Sequence, residues 1–444
     1  MSAEVTPIRT AAETALIERF KAAKGELPGD GEVAKRREEA FARIEAAGLP
    51  HRRVEEWKYT DLRGLMREAA PLAPLPSAAE AAGAIAAAEA FAAVDAVRLT
   101  FVNGHFLPGA SSTGGLPAGV EIVPLAEALA SGHALLREMG RVAVGKDNAA
   151  LALNAAFMAD GAVIRVADGV PVAQPLHLRF VNTGAAPFAT SPRVLVAVGE
   201  GASVTLLETH EGTAGVAYQT NTVVEIFAGA GTNVSHVRLN AEGDGALALS
   251  TLAVSLGAEA LFNTLGVVTG SAAARHQLFL AFEGEGSKVS IGGATMIGGR
   301  QHADTTLVVD HAVPGCESRE LFKTVVDGEA TGVFQGKIIV RPDAQKTDGR
   351  MMSAALLLSE TGTMNNKPEL EIFADDVQCA HGATCGALDE DLLFYLMARG
   401  LPRGEAEALL VQAFLGEAIE LVAHEGVREA LLGRTAAWLA ARAA

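Results

Sequence analysis

Two thiols and an imidazole stand within seven residues of one another near the C-terminus, at Cys379, His381 and Cys385. Thiolate sulfur and imidazole nitrogen both suit iron or zinc. The spacing is not that of a closed structural site. It supplies three ligands at most, and no second group of the kind lies close in sequence. Alternate side chains of an extended segment share a face, so Cys379 and His381 can share a site. A buried free cysteine beside a surface histidine accounts for the same residues, and the residues alone leave both readings open.

Other chemistry is excluded by small departures. The segment from Gly140 to Asp147 comes close to a phosphate-binding loop, with Gly145 and Lys146 in place. Such a loop needs Ser or Thr after the lysine to bind magnesium, and must follow a strand. Here Asp147 takes that position, and His133 to Met139 reads as helical. The run from Gly332 to Lys337 is one residue short and continues as a strand through Ile338 and Ile339. No nucleotide bound by this chain is therefore expected. The zinc-protease, Cys-x-x-Cys and nucleophile-elbow patterns are all missing. His302 and His311 lie in β texture and read as sheet or turn histidines.

The 444 residues are 49% apolar, enough for one large core or several smaller ones. A net charge of −17 repels phosphate backbones and anionic lipid, which argues against nucleic-acid and membrane-surface partners. Three cysteines, Cys316, Cys379 and Cys385, are too few for a disulfide framework and point to a reducing compartment. The first residues carry no apolar signal core, and no uninterrupted apolar run is long enough to span a bilayer. A cytoplasmic protein is expected.

The elements that must carry these residues follow from periodicity. Residues 11–48 show helical spacing on two segments broken between Leu27 and Gly31, and residues 69–96 read as a helix with linkers. Leu99 to Leu107 reads as a hairpin turning at Asn103-Gly104. Helical spacing returns over 124–158. From 161 to 373 the texture is β almost throughout. Gly201, Gly231, Gly257 and Gly286 recur there at spacings of 30, 26 and 29 residues, the mark of a solenoid with one coil per repeat. One large β-sandwich, or two, is the competing architecture. Helices return after Asp389, with Ala406, Leu409, Leu410, Ala413 and Phe414 on one stripe. The expected division is a helical region with a short hairpin over 1–158, a β core over 159–385 and a helical domain over 386–444.

Several long segments resemble the SufD family, part of the SUF iron–sulfur cluster assembly system. They run from Arg52 to Leu62, Phe101 to Gly104, Gly332 to Lys337, Pro342 to Asp348, Ala355 to Ser359, Lys367 to Thr384 and Leu393 to Leu401, in the family's order. The resemblance implies a mainly β fold, with a right-handed parallel β-helix between N- and C-terminal helical domains. It implies a non-enzymatic scaffold that pairs with a SufB-type subunit and docks a SufC-type ATPase. It also implies a transient iron–sulfur cluster shared with a partner subunit. His381 is then the candidate ligand at the heterodimer interface and Cys379 a second candidate. The sister SufB family places glutamate directly after the corresponding histidine, whereas Gly382 stands here. Cys385 and the Asn365-Asn366 pair depart from the usual SufD pattern.

Two other classes compete. A carbohydrate-active β-helix enzyme needs clustered carboxylates and aromatics, but aromatics are only 5% and carboxylates are scattered. A homo-oligomeric structural protein is the other, and a homodimer in isolation is compatible with the resemblance.

Overall fold

The computed structural model describes residues 9–142, 145 and 147–443. Its core is a β-solenoid in which successive strands alternate between two facing parallel sheets. One sheet runs from Val97–Val102 through Leu176–Asn182, Ser203–Gly212, Asn233–Ala241, Leu261–Val268, Lys288–Ile297, Glu317–Val326 and Asp348–Leu357 to Gln378–Gly386. The other runs from Gly161–Val166 through Arg193–Val198, Gln219–Ala228, Leu247–Leu256, Ala273–Phe282, His302–His311 and Thr331–Val340 to Thr363–Ile372. Sequence-adjacent strands belong to opposite sheets, so each coil buries its inner face on the coils before and after it.

The alternation in sequence sorts side chains between lumen and exterior. Ile226, Val254, Leu280, Val309, Ile338 and Leu370 stack in register along one inner wall. Val204, Val234, Phe262 and Val289 line the other. Each buried aliphatic side chain contributes about 1.5–3 kcal/mol, so the stack is the main source of stability. Both outer faces are also partly covered, which explains strands that are apolar on both sides. Helix Arg403–Ile419 brings Val411, Leu415 and Ile419 against Leu207, Val237, Leu265 and Met296. On the other sheet, helices Ala11–Ala23, Gly31–Ala47 and Ala149–Phe157 meet through the rings of Phe20, Phe41 and Phe157.

The periodic glycine is corrected at one point. The residue two before each of the six strands from Ser203–Gly212 to Asp348–Leu357 of the first sheet has left-handed backbone: Gly201, Gly231, Glu259, Gly286, Gly315 and Lys346, with φ between 53° and 73°. Each donates its N–H to a carbonyl of the next coil, as from Gly201 to Ala230 and from Glu259 to Glu285. Glu259, not Gly257, is the equivalent of Gly231. Gly257 is glycine for another reason, since a Cβ there would lie 2.8 Å from the Ala230 nitrogen.

The hairpin forms as the sequence requires, with Phe101 opposite Phe106 and positive φ at both Asn103 and Gly104. Its first strand also pairs in parallel with Leu176–Asn182. The solenoid sheet thus begins inside the segment that the repeat pattern left to the N-terminal region.

Candidate functional site

The two sheets end together. Thr363–Ile372 and Gln378–Gly386 each have a strand neighbour on one side only. A free strand edge presents unpaired N–H and C=O groups, a ready template for another chain. Phe373, 59% exposed, lies in the bend between these strands. The solenoid therefore has an open end, with polar backbone and an apolar side chain both presented to solvent.

Cys379 and His381 lie on the last strand. Cys379 pairs with Gly349 and His381 with Met351, whose buried side chain belongs to the lumen wall. The candidate ligands thus occupy lumen-facing positions at the mouth. Cys379 is half-buried against the core, and burial pushes its thiol up from the ordinary range, while His381 is exposed. The two are about 6.6 Å apart along the strand, at about 3.3 Å per residue. Cys385 is exposed on the same face but about 13 Å beyond His381 on that scale. One small cluster can touch Cys379 and His381 together, but not Cys385 as well. Among the described residues no group of three or more His, Cys, Asp or Glu side chains is assembled to hold a metal.

The mouth is braced from both sides. Asn366, on the last strand of the facing sheet, accepts a hydrogen bond from the Ser353 hydroxyl at 2.7 Å. This explains an asparagine that stood out in the sequence only as a departure. The segment around Trp57 is fastened to the outer face nearby. Trp57 lies beneath the Arg275 guanidinium, 4.0 Å from the ring centre. Arg275 donates to the Asp304 carboxylate at 2.5 Å and to the Glu56 carbonyl at 2.7 Å. Thr60 donates to Asp304 and is 2.9 Å from His302 Nε2. Burial lowers the His302 pKa, so the ring is neutral and its Nε2–H can donate to the Thr60 hydroxyl. His302 and His311 are thus sheet histidines at the two ends of one strand, the latter buried and 3.0 Å from Ser318 Oγ. The long motif from Arg52 to Leu62 is an anchoring strap, which its sequence does not disclose because its partners lie more than two hundred residues away.

The loop from Gly140 to Asp147 falls partly outside the described residues, Lys146 included. Among the described residues, the Gly140 N–H donates to the Glu225 carboxylate at 2.7 Å, and Glu225 also pairs with Arg193.

Helix Glu390–Ala398 begins at Asp389, whose side chain accepts from the Asp391 and Leu392 amides. It buries Leu393 but exposes Leu392, Tyr395, Met397 and Phe394, the last 73% exposed. No described element covers that apolar face. No helix among the described residues is long and apolar enough to cross a membrane.

Comparison with known proteins gives two family matches. Residues 180–414 match the SufBD core domain of the SUF system for FeS cluster assembly, and residues 12–178 match the SufBD protein N-terminal region. A protein of Synechocystis sp., named as an iron-sulfur cluster assembly SufBD family protein, is 32% identical over 407 residues, covering 88% of either chain. The iron-sulfur cluster assembly protein SufD of Escherichia coli is 30% identical over 394 residues, covering 87% of this chain and 88% of its own.

Proposed function

This chain belongs to the SufBD family of SUF iron–sulfur cluster assembly proteins, and from that membership we propose that it is the SufD-type scaffold subunit of an assembly complex. The observation that carries the reading is the open end of the solenoid: two unpaired strand edges with Cys379 and His381 at the mouth. The partner there is a SufB-type subunit that completes both sheets and adds the missing ligands. His381, with Cys379 beside it, contributes to a transient cluster that is the cargo of the complex, not a resident cofactor. Gly382 after His381 supports the SufD-type role, since a carboxylate then has to come from the partner. The uncovered face of helix Glu390–Ala398 suits a SufC-type ATPase. The chain itself acts without enzymatic chemistry and binds no nucleotide. The three thiols are unpaired, in keeping with a reducing cytoplasm.

Co-purification tests this reading. A tagged chain co-expressed with SufB-type and SufC-type proteins of its own organism should elute with both. Removal of the residues after Asp389 should release the SufC-type protein and keep the SufB-type one, because solenoid coils depend mainly on their neighbours. A chain that elutes with neither, or only as a homodimer in their presence, contradicts the proposal.

A further inference from the structure

A second concavity lies on earlier coils than the open end, where the N-terminal helices meet the outer face of the sheet that contains Gln219–Ala228 and Leu247–Leu256. Its empty volume is about 510 Å³, the open mouth included. Leu16 of helix Ala11–Ala23, Leu153 and Phe157 of helix Ala149–Phe157, Met66 and Leu249 give it an apolar lining. Gln219 also lines it, but its amide is spent: Nε2 donates to the Glu68 carbonyl at 2.6 Å and Oε1 accepts from the Ala70 N–H at 3.1 Å. Two other polar side chains of the lining, Arg19 and Asn221, have bonding capacity left over.

Asn221 is 8% exposed. Its Nδ2 donates to the Ala150 carbonyl at 2.8 Å. Turning the carboxamide over would set Oδ1 against that carbonyl, so the orientation is fixed. Oδ1 is left as a buried acceptor with no partner among the described residues, which is costly unless something donates to it. Arg19 is half-buried and forms no hydrogen bond or ion pair among the described residues, and its Nε is buried without a partner. A guanidinium stays charged and offers a fork of N–H donors that matches a carboxylate. Carboxylates are plentiful in a chain of net charge −17, yet none is placed against this cation.

An apolar lining, a lone acceptor and a lone cation together call for an apolar body, an N–H and an oxyanion in one ligand. The last residue of a polypeptide carries all three on neighbouring atoms: its side chain, its peptide N–H and its α-carboxylate. We propose that this cleft captures the C-terminus of a partner polypeptide that ends in an aliphatic residue. The terminal side chain enters among Leu16, Phe157 and Leu249, the last peptide N–H donates to Asn221 Oδ1, and the α-carboxylate accepts from Arg19. Charge complementarity selects a terminus over an internal segment, because an internal aliphatic residue brings the side chain and the N–H but no anion. A fatty acid lacks the N–H. The open mouth lets the rest of the partner chain continue into solvent.

The test uses the full chain and fluorescein-labelled tetrapeptides ending in leucine, with binding followed by anisotropy. Three forms are compared: the free acid, the C-terminal amide, and an acid with an ester in place of the last peptide bond. The free acid should bind saturably. The amide should bind at least about tenfold more weakly, because the charge-assisted pair with Arg19 is lost. The ester should bind about three- to tenfold more weakly, for want of one neutral hydrogen bond. In Arg19→Gln the acid and the amide should bind alike, while the ester keeps its deficit. That variant should fold, since Arg19 pairs with nothing, and thermal unfolding checks it; the comparisons in the unaltered chain need no variant. Unlabelled N-acetyl-leucine should compete more weakly than the unlabelled tetrapeptide. No saturable binding would mean that water alone fills the cleft and would overturn the proposal. So would equal binding of acid and amide, an ester as tight as the peptide, or an acid preference that survives Arg19→Gln. N-acetyl-leucine binding more tightly than the tetrapeptide would make the occupant a free acylated amino acid and overturn the assignment of a polypeptide.

Discussion

His381→Ala should leave the fold and the complex intact and lower iron and acid-labile sulfide in the anaerobically purified complex by at least about tenfold. The first half follows from exposure. His381 is at the surface of the last strand and makes no hydrogen bond among those described, so its removal should change stability by no more than about 0.5 kcal/mol. The second half follows from ligand number. This chain brings two candidate ligands to the mouth, and a shared site that loses one of them has little left on this side. Even residues that only orient ligands are worth 10- to 100-fold in metal affinity. Cys379→Ser should also lower cluster content, while Cys385→Ser should not, because Cys385 is too far along the strand to join the same cluster. Normal iron and sulfide in His381→Ala would remove it from the site. Failure of the complex to form would make it a packing residue of the interface.

Acid should begin to destabilise the protein before ordinary carboxylates titrate. Four histidines are buried in neutral form. Burial, aided by the charges of Arg98 and Arg179, lowers His177 to about 3, and burial lowers His311 to about 4. His276 is held well below its ordinary value, again chiefly by burial, and His302 is lowered for the same reason. Each has a folded pKa below the value near 6.5 of an unfolded chain, so its contribution is complete above pH 6.5 and is lost as pH falls below it. Two buried acids work in the opposite sense. Burial raises Glu320 to about 8 and also raises Glu242, so the folded state holds their protons where the unfolded state does not. They make the fold more stable as pH falls toward 4.5. The histidines outnumber the acids, so the net effect is a loss of stability as pH falls from roughly 6.5 toward 4.5.

Below that window Glu208 adds to the loss. Burial alone would raise its pKa, but hydrogen bonds from His210 and His236 and the charge of Arg238 outweigh burial and hold it well below 4.5. Its contribution is present above pH 4.5 and disappears as pH falls further. Urea unfolding at half-unit pH steps should show a stability of ordinary size, about 5–15 kcal/mol, that falls steadily from pH 6.5 to 4.5. A flat profile over that range would mean that these histidines are not buried neutral.

The parts of this fold that were legible in sequence are those specified locally. Asn103-Gly104 demands a two-residue turn, and it forms one. The spacing of Ala406, Leu409, Leu410, Ala413 and Phe414 demands a helix, and helix Arg403–Ile419 contains it, but apart from Ala406 the face it buries is that of Val411, Leu415 and Ile419, while Leu409 stays 46% exposed. The repeat of β segments made a solenoid the natural reading, because each coil repeats one set of contacts. The misassigned corner shows where pattern fails. Glu259 and Lys346 take a left-handed backbone that glycine would adopt more easily, held by hydrogen bonds to the next coil, so residue type alone does not mark the corner. The strand Val97–Val102 was legible as a hairpin arm, but its place in the solenoid sheet was hidden because its parallel partner lies some eighty residues away.

The site was legible to the same extent and for the same reason. Cys379 and His381 are two apart on one strand, and alternation places them on one face. That this strand closes the solenoid depends on where the repeats stop, which no local pattern records. The cleft beside Asn221 carries no signal in sequence at all, since Leu16 and Arg19 reach that strand only when the helices pack on the sheet. The Trp57 strap is likewise a contact between distant segments.

Hydrogen–deuterium exchange tests the central claim most directly, comparing the chain alone with the chain bound to its SufB-type partner. The amides on the free edges of Thr363–Ile372 and Gln378–Gly386 have no strand neighbour in the chain by itself. Binding of the partner at the open end should slow their exchange strongly, while strands inside the solenoid change little. Unchanged exchange at both terminal strands, with protection appearing on another surface of the same complex, would contradict the open end as the place where the two subunits meet and share a cluster.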